Sequence, residues 1–134
     1  MTDSKTDDYR HSHLGADKAK SYNNLFQDNP YRKILWQFER QVVDRVIAEL
    51  GQRPLRHLDF ACGTGRVVAH VESHDHLHST GVDISPDMLN EARKHVGHST
   101  LVEADLTRDD VLAEKRFDLI TAFRFFPNAQ GELR

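Results

Sequence analysis

The sequence contains a single cysteine, Cys62, among 134 residues, so no disulfide can form within one chain. This excludes the small disulfide-stapled folds and favours a reducing compartment, for which we predict a cytoplasmic location. Long apolar runs are also lacking, since none approaches the roughly 20 residues that a membrane-spanning helix needs. The first ten residues are polar and acidic, unlike a secretory signal.

A strong charge of either sign is lacking as well. The chain has 18 Lys and Arg against 21 Asp and Glu, which gives a net charge of −3. Proteins that coat nucleic acid or bind anionic membranes carry a large positive charge. We therefore expect neither a nucleic acid nor a membrane as a partner. A content of 38% hydrophobic and 29% charged residues is that of a globular protein, and the length allows one domain.

Composition divides the chain into three segments. They are a disordered leader at 1–17, an N-terminal helical segment at 18–52 and an α/β domain at 53–134. The leader holds almost nothing apolar, so it cannot offset the entropy cost of ordering. Within the second segment, Asn29 and Pro30 form a helix start signal and Gly51 a stop signal. Apolar residues recur at helical spacing between them, which predicts a long amphipathic helix over Pro30–Leu50.

Four short apolar runs in the third segment predict β-strands. They cover residues 55–62, 80–84, 100–104 and 117–123. Helical patterns alternate with the first three, which predicts β-α-β units and a doubly wound, mostly parallel sheet of about four strands. Parallel sheets are normally covered on both faces and paired at their edges. We therefore expect the sheet to be incomplete at its C-terminal end, with an exposed strand edge that permits self-association.

The turn after the first strand, residues 59–65, carries the most informative motif. In an open α/β sheet, ligands bind beyond the carboxyl ends of the strands. Gly63 and Gly65 lack a Cβ atom, so they allow positive φ angles and close approach of a ligand, and the next helix directs its free N–H groups at an anionic group. Asp83 ends the second strand, where a carboxylate can accept hydrogen bonds from two ribose hydroxyls. A ribose-containing ligand is therefore expected.

Two features distinguish this turn from the dinucleotide-binding fingerprint. That fingerprint needs a third small residue for close contact between helix and strand, and Val68 at this position is large. In addition, the acidic Asp59 precedes the glycines. Both features fit a nicotinamide cofactor poorly, and an oxidoreductase that binds a nicotinamide nucleotide is kept as an alternative.

Residues 58–65 resemble the first motif of the class I S-adenosylmethionine-dependent methyltransferases, with Ala61 in place of the first glycine. Segments 81–89, 103–106 and 117–123 resemble later motifs of that family, in the same order. The resemblance implies a Rossmann-like fold, S-adenosylmethionine as cofactor and a small-molecule methyl acceptor that the sequence does not identify. The cofactor-binding residues it implies are Asp59, Ala61, Cys62, Gly63, Gly65, Asp83, Ile84, Met88, Asp105, Leu106 and Phe123.

The resemblance also implies a role for several of these residues. Asp83 would hold the ribose, Ile84 and Met88 would flank the adenine, Asp105 would accept from its amino group, and the strand that ends at Phe123 would face the sulfonium. No motif identifies a catalytic base. A second alternative is a shortened, non-catalytic fragment that only binds the cofactor or a partner protein.

Histidines are numerous, with nine in the chain. They alternate at His74, His76 and His78, and again at His11 and His13. Alternating histidines can bind zinc or nickel, but no cysteine or acidic residue completes a recognised spacing. The spacing therefore favours a solvated loop and no metal site.

Cys62 is expected to be a small wall residue rather than a nucleophile. Apart from the helix start, nothing basic is placed to lower the pKa of its thiol.

Overall fold

The computed structural model describes residues 29–113 and 115–123. Its elements are α1 (Pro30–Leu50), β1 (Leu55–Phe60), α2 (Arg66–Glu72), β2 (Leu77–Asp83), α3 (Pro86–Ala92), β3 (Thr100–Glu103) and β4 (Leu119–Thr121). The predicted leader at 1–17 lies outside the described residues. Among the residues that are described, no helix combines the length and the apolar character needed to cross a membrane.

The described strands form one four-stranded parallel sheet in the order β3-β2-β1-β4. β1 lies in the middle, with Asp59 opposite Gly81 of β2 on one side and opposite Thr121 of β4 on the other. The chain therefore moves outward from β1 to β3 and then returns across β1 to β4. This confirms the predicted doubly wound α/β fold.

Helix α1 has the bounds that the sequence predicts. The Asn29 side chain accepts hydrogen bonds from the backbone N–H groups of Tyr31 and Arg32, at 3.0 and 3.4 Å. Pro30 occupies the first helical position, where its missing N–H is not needed. At the other end, Gly51 adopts a φ of +89°, which favours glycine.

The strand ends differ from the prediction. β2 begins at Leu77 rather than at residue 80. The predicted start was too late because polar residues that lack a strand signal, including Ser79, are buried in this strand. β4 covers Leu119–Thr121 instead of residues 117–123. Its pairing with β1 ends at Asp59, since β1 soon gives way to the turn that follows Phe60.

The two faces of the sheet are packed differently. On one face, α1, α2 and α3 contribute to two apolar clusters whose buried members are Val43, Ile47, Leu55, Val67, Val71 and Leu77, and Cys62, Val68 and Leu89. On the other face, Leu58 and Val82 pack with Ala104 under partly buried side chains from residues 102–117. Ile120 lies opposite Leu58 in register and is 62% exposed, so the described residues leave this face open beside β4.

Glu72, the last residue of α2, holds the segment that leads into β3. Its carboxylate accepts hydrogen bonds from the backbone N–H groups of Gly97, His98 and Ser99, at 2.7 to 3.1 Å, and from the Ser99 hydroxyl at 2.6 Å. Burial opposes ionisation, but the hydrogen bonds outweigh it and lower the pKa of Glu72 to about 2. The charged form of Glu72 is therefore part of the fold.

We expect Glu72→Gln to lower the free energy of unfolding at pH 7 by about 1–3 kcal/mol, because the amide NH2 would face backbone donors. The folded pKa lies below the ordinary value near 4.3, so the contribution of Glu72 is complete above about pH 4.5 and lost as the pH falls toward 2. Urea unfolding followed by circular dichroism at pH 7 and pH 3 measures both effects. Glu49→Gln, an exposed site on α1, is the matched control. Equal stability of the parent and Glu72→Gln at pH 7 would contradict the assignment.

Candidate functional site

A cleft opens at the carboxyl ends of β1 and β4. It is lined by Asp59, Ala61, Cys62, Gly63, Thr64, Arg66, Val67 and Phe123. The sheet order explains its position, because β2 and β4 lie on opposite sides of β1 and the direction of winding reverses there. This reversal point is where open α/β sheets bind ligands.

The floor of the cleft is the turn between β1 and α2. Ala61 and Gly63 both adopt a φ of +56°, and Gly65 adopts +79°. Ala61 stands where a left-handed backbone costs a residue with a Cβ atom about 1–2 kcal/mol. The turn is closed by a 3.0 Å hydrogen bond from the Gly65 N–H to the Cys62 carbonyl. Positive φ angles are thus required here, as the glycines of the motif predict.

The two glycines that the sequence singles out have different surroundings. Gly63 lines the cleft, whereas Gly65 is absent from its lining. A Cβ atom on Gly65 would lie 2.9 Å from the Ala92 Cβ atom and 3.2 Å from Val96 Cγ2. The small size of Gly65 therefore lets the start of α2 pack against the end of α3.

Asp83, at the end of β2, is hydrogen-bonded to this turn. Its Oδ2 atom accepts from the Gly63 N–H at 2.8 Å, and its Oδ1 atom accepts from the Ser85 N–H at 2.9 Å. The residue is 8% exposed. These bonds fix both carboxylate oxygens of Asp83 relative to the turn and to the start of α3. The position that the sequence predicts for Asp83, beside the glycine turn, is where the structure has it.

Asp59, at the end of β1, is almost completely buried at 2% exposure. Burial raises the pKa of this carboxyl group to about 7, with a contribution from the neighbouring charge of Asp83. A 2.6 Å hydrogen bond from the Thr121 hydroxyl and the positive charge of Arg66 act in the opposite direction. Arg66 also lines the cleft, and its guanidinium lies 4.9 Å from the ring centroid of Trp36 in α1. The cleft wall thus combines an acidic and a basic side chain.

A buried chain of polar side chains connects Asp59 to β2. His57 is 0% exposed, and burial lowers its pKa to about 4, so the ring is neutral at pH 7. The Thr121 hydroxyl donates its hydrogen bond to Asp59, so its oxygen accepts from His57 Nε2 at 2.8 Å. His57 Nδ1 then accepts from the Ser79 hydroxyl at 2.9 Å. This order of donors fixes the His57 tautomer and ties β2, β1 and β4 together.

Sequence reasoning did not identify this chain of hydrogen bonds. A partial signal was present, because His57 and Asp59 alternate with Leu55 on the inward face of β1. Their partner Thr121, however, lies 62 residues after Asp59. Three residues that line the cleft were also missed, namely Thr64, Arg66 and Val67.

The remaining predicted residues lie in different surroundings. Phe123, Ala61 and Cys62 line the cleft; Cys62 is buried, and burial raises the pKa of its thiol. Four others do not line it and follow β2 or β3 in sequence: Ile84, Met88, Asp105 and Leu106. Met88 is 1% exposed and therefore packs in the interior. The Asp105 carboxylate accepts from the Thr107 N–H at 3.0 Å, which forms a local turn.

Comparison with known proteins gives one family match. The profile of a family described as "Methyltransferase domain" matches residues 58–132, more than half of the chain. No curated protein sequence matches the chain.

Several solved structures are similar to this fold. A TehB-like SAM-dependent methyltransferase from Corynebacterium glutamicum shares 21% identity and a TM-score of 0.60, over 81% of this chain and 55% of that one. A sugar N-methyltransferase from a Streptoalloteichus species shares 30% identity and a TM-score of 0.52, over 63% and 33%. A SAM-bound amino pentose methyltransferase from Micromonospora echinaspora shares 27% identity and a TM-score of 0.55, over 65% and 36%. The chain therefore spans between a third and just over half of these proteins.

Proposed function

Because the chain belongs to the methyltransferase domain family, we propose that it binds S-adenosylmethionine and serves the transfer of its methyl group to a small-molecule acceptor. The observation that carries the proposal is the bond between Asp83 and the Gly63 N–H, which sets an acidic group beside a turn of positive φ angles. Similarity to a sugar N-methyltransferase and to an amino pentose methyltransferase supports a small acceptor.

The residues of the cleft fit the two ends of this cofactor. Its ribose offers two adjacent hydroxyl donors, and we propose the Asp83 carboxylate beside the turn as their acceptor. Its amino acid end carries an ammonium and a carboxylate group, and the cleft is lined by one acidic side chain, Asp59, and one basic side chain, Arg66. Around the adenine we propose Ile84, Met88, Asp105 and the backbone N–H of Leu106, as the family resemblance implies.

In the reaction, the cofactor supplies an activated methyl group on its sulfonium. The protein then needs to bind, align and exclude water rather than to activate the donor. We assign binding of the sugar to Asp83, orientation of the amino acid end to Asp59 and Arg66, and exclusion of water to Phe123, whose ring lines the cleft at the end of β4. None of the described residues is assigned as a general base.

The alternatives considered from the sequence are weaker. Val68, which occupies the third position of a dinucleotide fingerprint, is 0% exposed, and its Cγ2 atom lies 3.0 Å from where a Cβ atom on Gly81 would be. A large side chain therefore fills the position where a nicotinamide site needs a small one. The other alternative is a fragment that binds the cofactor but does not transfer a methyl group. The methyl-transfer assay described below distinguishes it from an enzyme. Self-association through the edge of β4 and a cytoplasmic location remain part of the proposal.

We expect the full chain to bind S-adenosylhomocysteine saturably, with one molecule per chain, and to show no binding of NADH. Isothermal titration calorimetry with each ligand measures both. Methyl transfer to a panel of amino sugars and other small nucleophiles then distinguishes an enzyme from a fragment that only binds. Binding of NADH without S-adenosylhomocysteine would favour the oxidoreductase alternative, and binding of neither ligand would contradict the proposal.

A further inference from the structure

Three side chains that can ligate a metal meet at the end of α2 remote from the cleft. Asp44 of α1 accepts hydrogen bonds through Oδ1 from His70 Nε2 at 2.6 Å and from His74 Nε2 at 2.9 Å. The candidate ligand atoms of the three residues all lie within 4.8 Å of one another. Residues four apart face the same side of a helical turn, which explains why both imidazoles reach the same carboxylate.

The donor set is selective for one class of ion. Two imidazole nitrogens and one carboxylate oxygen suit zinc and its first-row neighbours, whereas Mg²⁺ and Ca²⁺ prefer oxygen ligands alone. We propose that Asp44, His70 and His74 form a binding site for a divalent first-row transition-metal ion, with Zn²⁺ as the expected occupant. This site lies at the opposite end of α2 from the cofactor cleft and does not depend on the proposed function.

The geometry requires only local adjustment. Zinc lies about 2.0–2.2 Å from nitrogen and oxygen ligands, so tetrahedral ligand atoms stand roughly 3.3 Å apart. The three candidate atoms are now at hydrogen-bond distance or within 4.8 Å, and side-chain rotation can bring them to this spacing. The side chains of His70, His74 and Asp44 are 16%, 27% and 44% exposed. An ion can therefore enter from solvent and keep a water molecule as a further ligand.

A further imidazole stands next to the cluster. The ring of His76 lies edge-on to that of His74, with centroids 6.1 Å apart. Its buried Nε2 atom has no hydrogen-bond partner in the part of the chain that the structure describes. His76 is therefore a neighbour of the three proposed ligands and is not counted among them. We assign the fourth ligand position to a water molecule.

Metal binding at this position would couple two helices. Asp44 belongs to α1, whereas His70 and His74 belong to the end of α2 and the turn after it. Trp36 of α1 already contacts the His70 ring, with centroids 5.8 Å apart. An ion that binds only when these helices are packed together stabilises the folded state by mass action. The site would therefore hold α1 against the cofactor-binding domain.

The structure also revises the interpretation of the histidines. Sequence spacing drew attention to the alternating His74, His76 and His78, and no acidic residue at a recognised spacing accompanied them. The pair that meets is His70 and His74, and its acidic partner, Asp44, lies 26 residues before His70. Packing of α1 on α2 brings the three together.

The test is titration of ZnCl2 into the chelator-treated full chain by isothermal titration calorimetry, with thermal unfolding in the presence and absence of zinc. We expect one tightly bound ion per chain and a rise in the unfolding midpoint. His74→Gln and Asp44→Asn are each expected to weaken this binding at least about 30-fold and to abolish the rise. His78→Gln, an exposed histidine of the same alternating run, is the matched control and should bind like the parent. Cobalt(II) should give visible absorption bands of tetrahedral intensity in the parent and in His78→Gln only.

Two results would overturn the proposal. One is the absence of saturable zinc binding by the parent protein. The other is binding by His74→Gln and Asp44→Asn that is as tight as in the parent, which would place the ion elsewhere. Asp44→Asn keeps the shape of the side chain and one acceptor oxygen, so it remains informative if His74→Gln does not fold. Circular dichroism of each variant verifies the fold.

Discussion

Replacement of Asp83 by alanine is expected to weaken the binding of S-adenosylhomocysteine by about 100-fold or more. A hydrogen bond to a charged group contributes about 1.5–3 kcal/mol, and the proposed contact comprises two, one from each ribose hydroxyl. Loss of roughly 3 kcal/mol corresponds to about two orders of magnitude in affinity. The same substitution removes the acceptor of the Gly63 N–H, so the turn that forms the floor of the cleft is loosened as well.

The binding role of Asp83 can be separated from its role in the fold. Asp83→Asn keeps one acceptor oxygen but directs an NH2 group toward the N–H of either Gly63 or Ser85, so it should also bind weakly. Urea unfolding reports the structural part, and calorimetry on protein that is verified as folded reports the binding part. Asp110→Ala makes the same change of charge at an exposed site and should bind like the parent. Tight binding by folded Asp83→Ala would show that the ribose lies elsewhere.

The sequence predicts those parts of the fold that depend on neighbouring residues. Both ends of α1 were predicted correctly, because Asn29 and Gly51 act within one turn of the helix. Strand ends depend on a partner that is distant in sequence. β4 extends only as far as its pairing with residues 57–59 of β1, and no local pattern around Leu119–Thr121 reveals that limit.

The candidate site divides in the same way. Residues 59–65 are contiguous, and parallel strands end at one edge of the sheet, so the positions of Asp59 and Asp83 beside the turn followed from sequence alone. The hydrogen bond from Thr121 to Asp59 depends on the register of β4 against β1. The contact of Asp44 with His70 likewise depends on helix packing. Such long-range contacts determine whether a side chain is protonated and which ligands it can bind. The residue type alone predicts neither.

Asp59 is expected to make stability depend on pH in the range where most carboxylates have finished titrating. Its folded pKa of about 7 lies above the ordinary value near 3.9. The unfolded chain therefore loses this proton near pH 4, whereas the folded protein retains it until about pH 7. The contribution of Asp59 is most favourable below pH 4, declines as the pH rises to about 7 and is constant above that. A shift of about three pKa units corresponds to on the order of 4 kcal/mol.

His57 acts in the opposite direction over nearly the same range. Its folded pKa of about 4 lies below the ordinary value near 6.5, so the unfolded chain binds the additional proton between these values. The contribution of His57 to stability therefore rises as the pH increases from 4 to 6.5. The two groups, joined through Thr121, largely offset each other in the parent protein. Glu72 titrates at lower pH and does not enter this range.

Asp59→Asn should remove one of these two opposing contributions to stability. The amide oxygen can still accept from Thr121, but the side chain no longer ionises, so only the His57 contribution remains. We expect the variant to gain stability relative to the parent as the pH rises from 4 to 8, by on the order of 3–4 kcal/mol in the free energy of unfolding. Urea unfolding at each pH measures the difference, with Asp75→Asn, an exposed aspartate, as the control. A difference between Asp59→Asn and the parent that stays constant with pH would show that Asp59 ionises in the folded protein as it does in the unfolded chain. If Asp59→Asn is more stable than the parent but binds S-adenosylhomocysteine more weakly, the buried carboxylate contributes to ligand binding and lowers the stability of the fold.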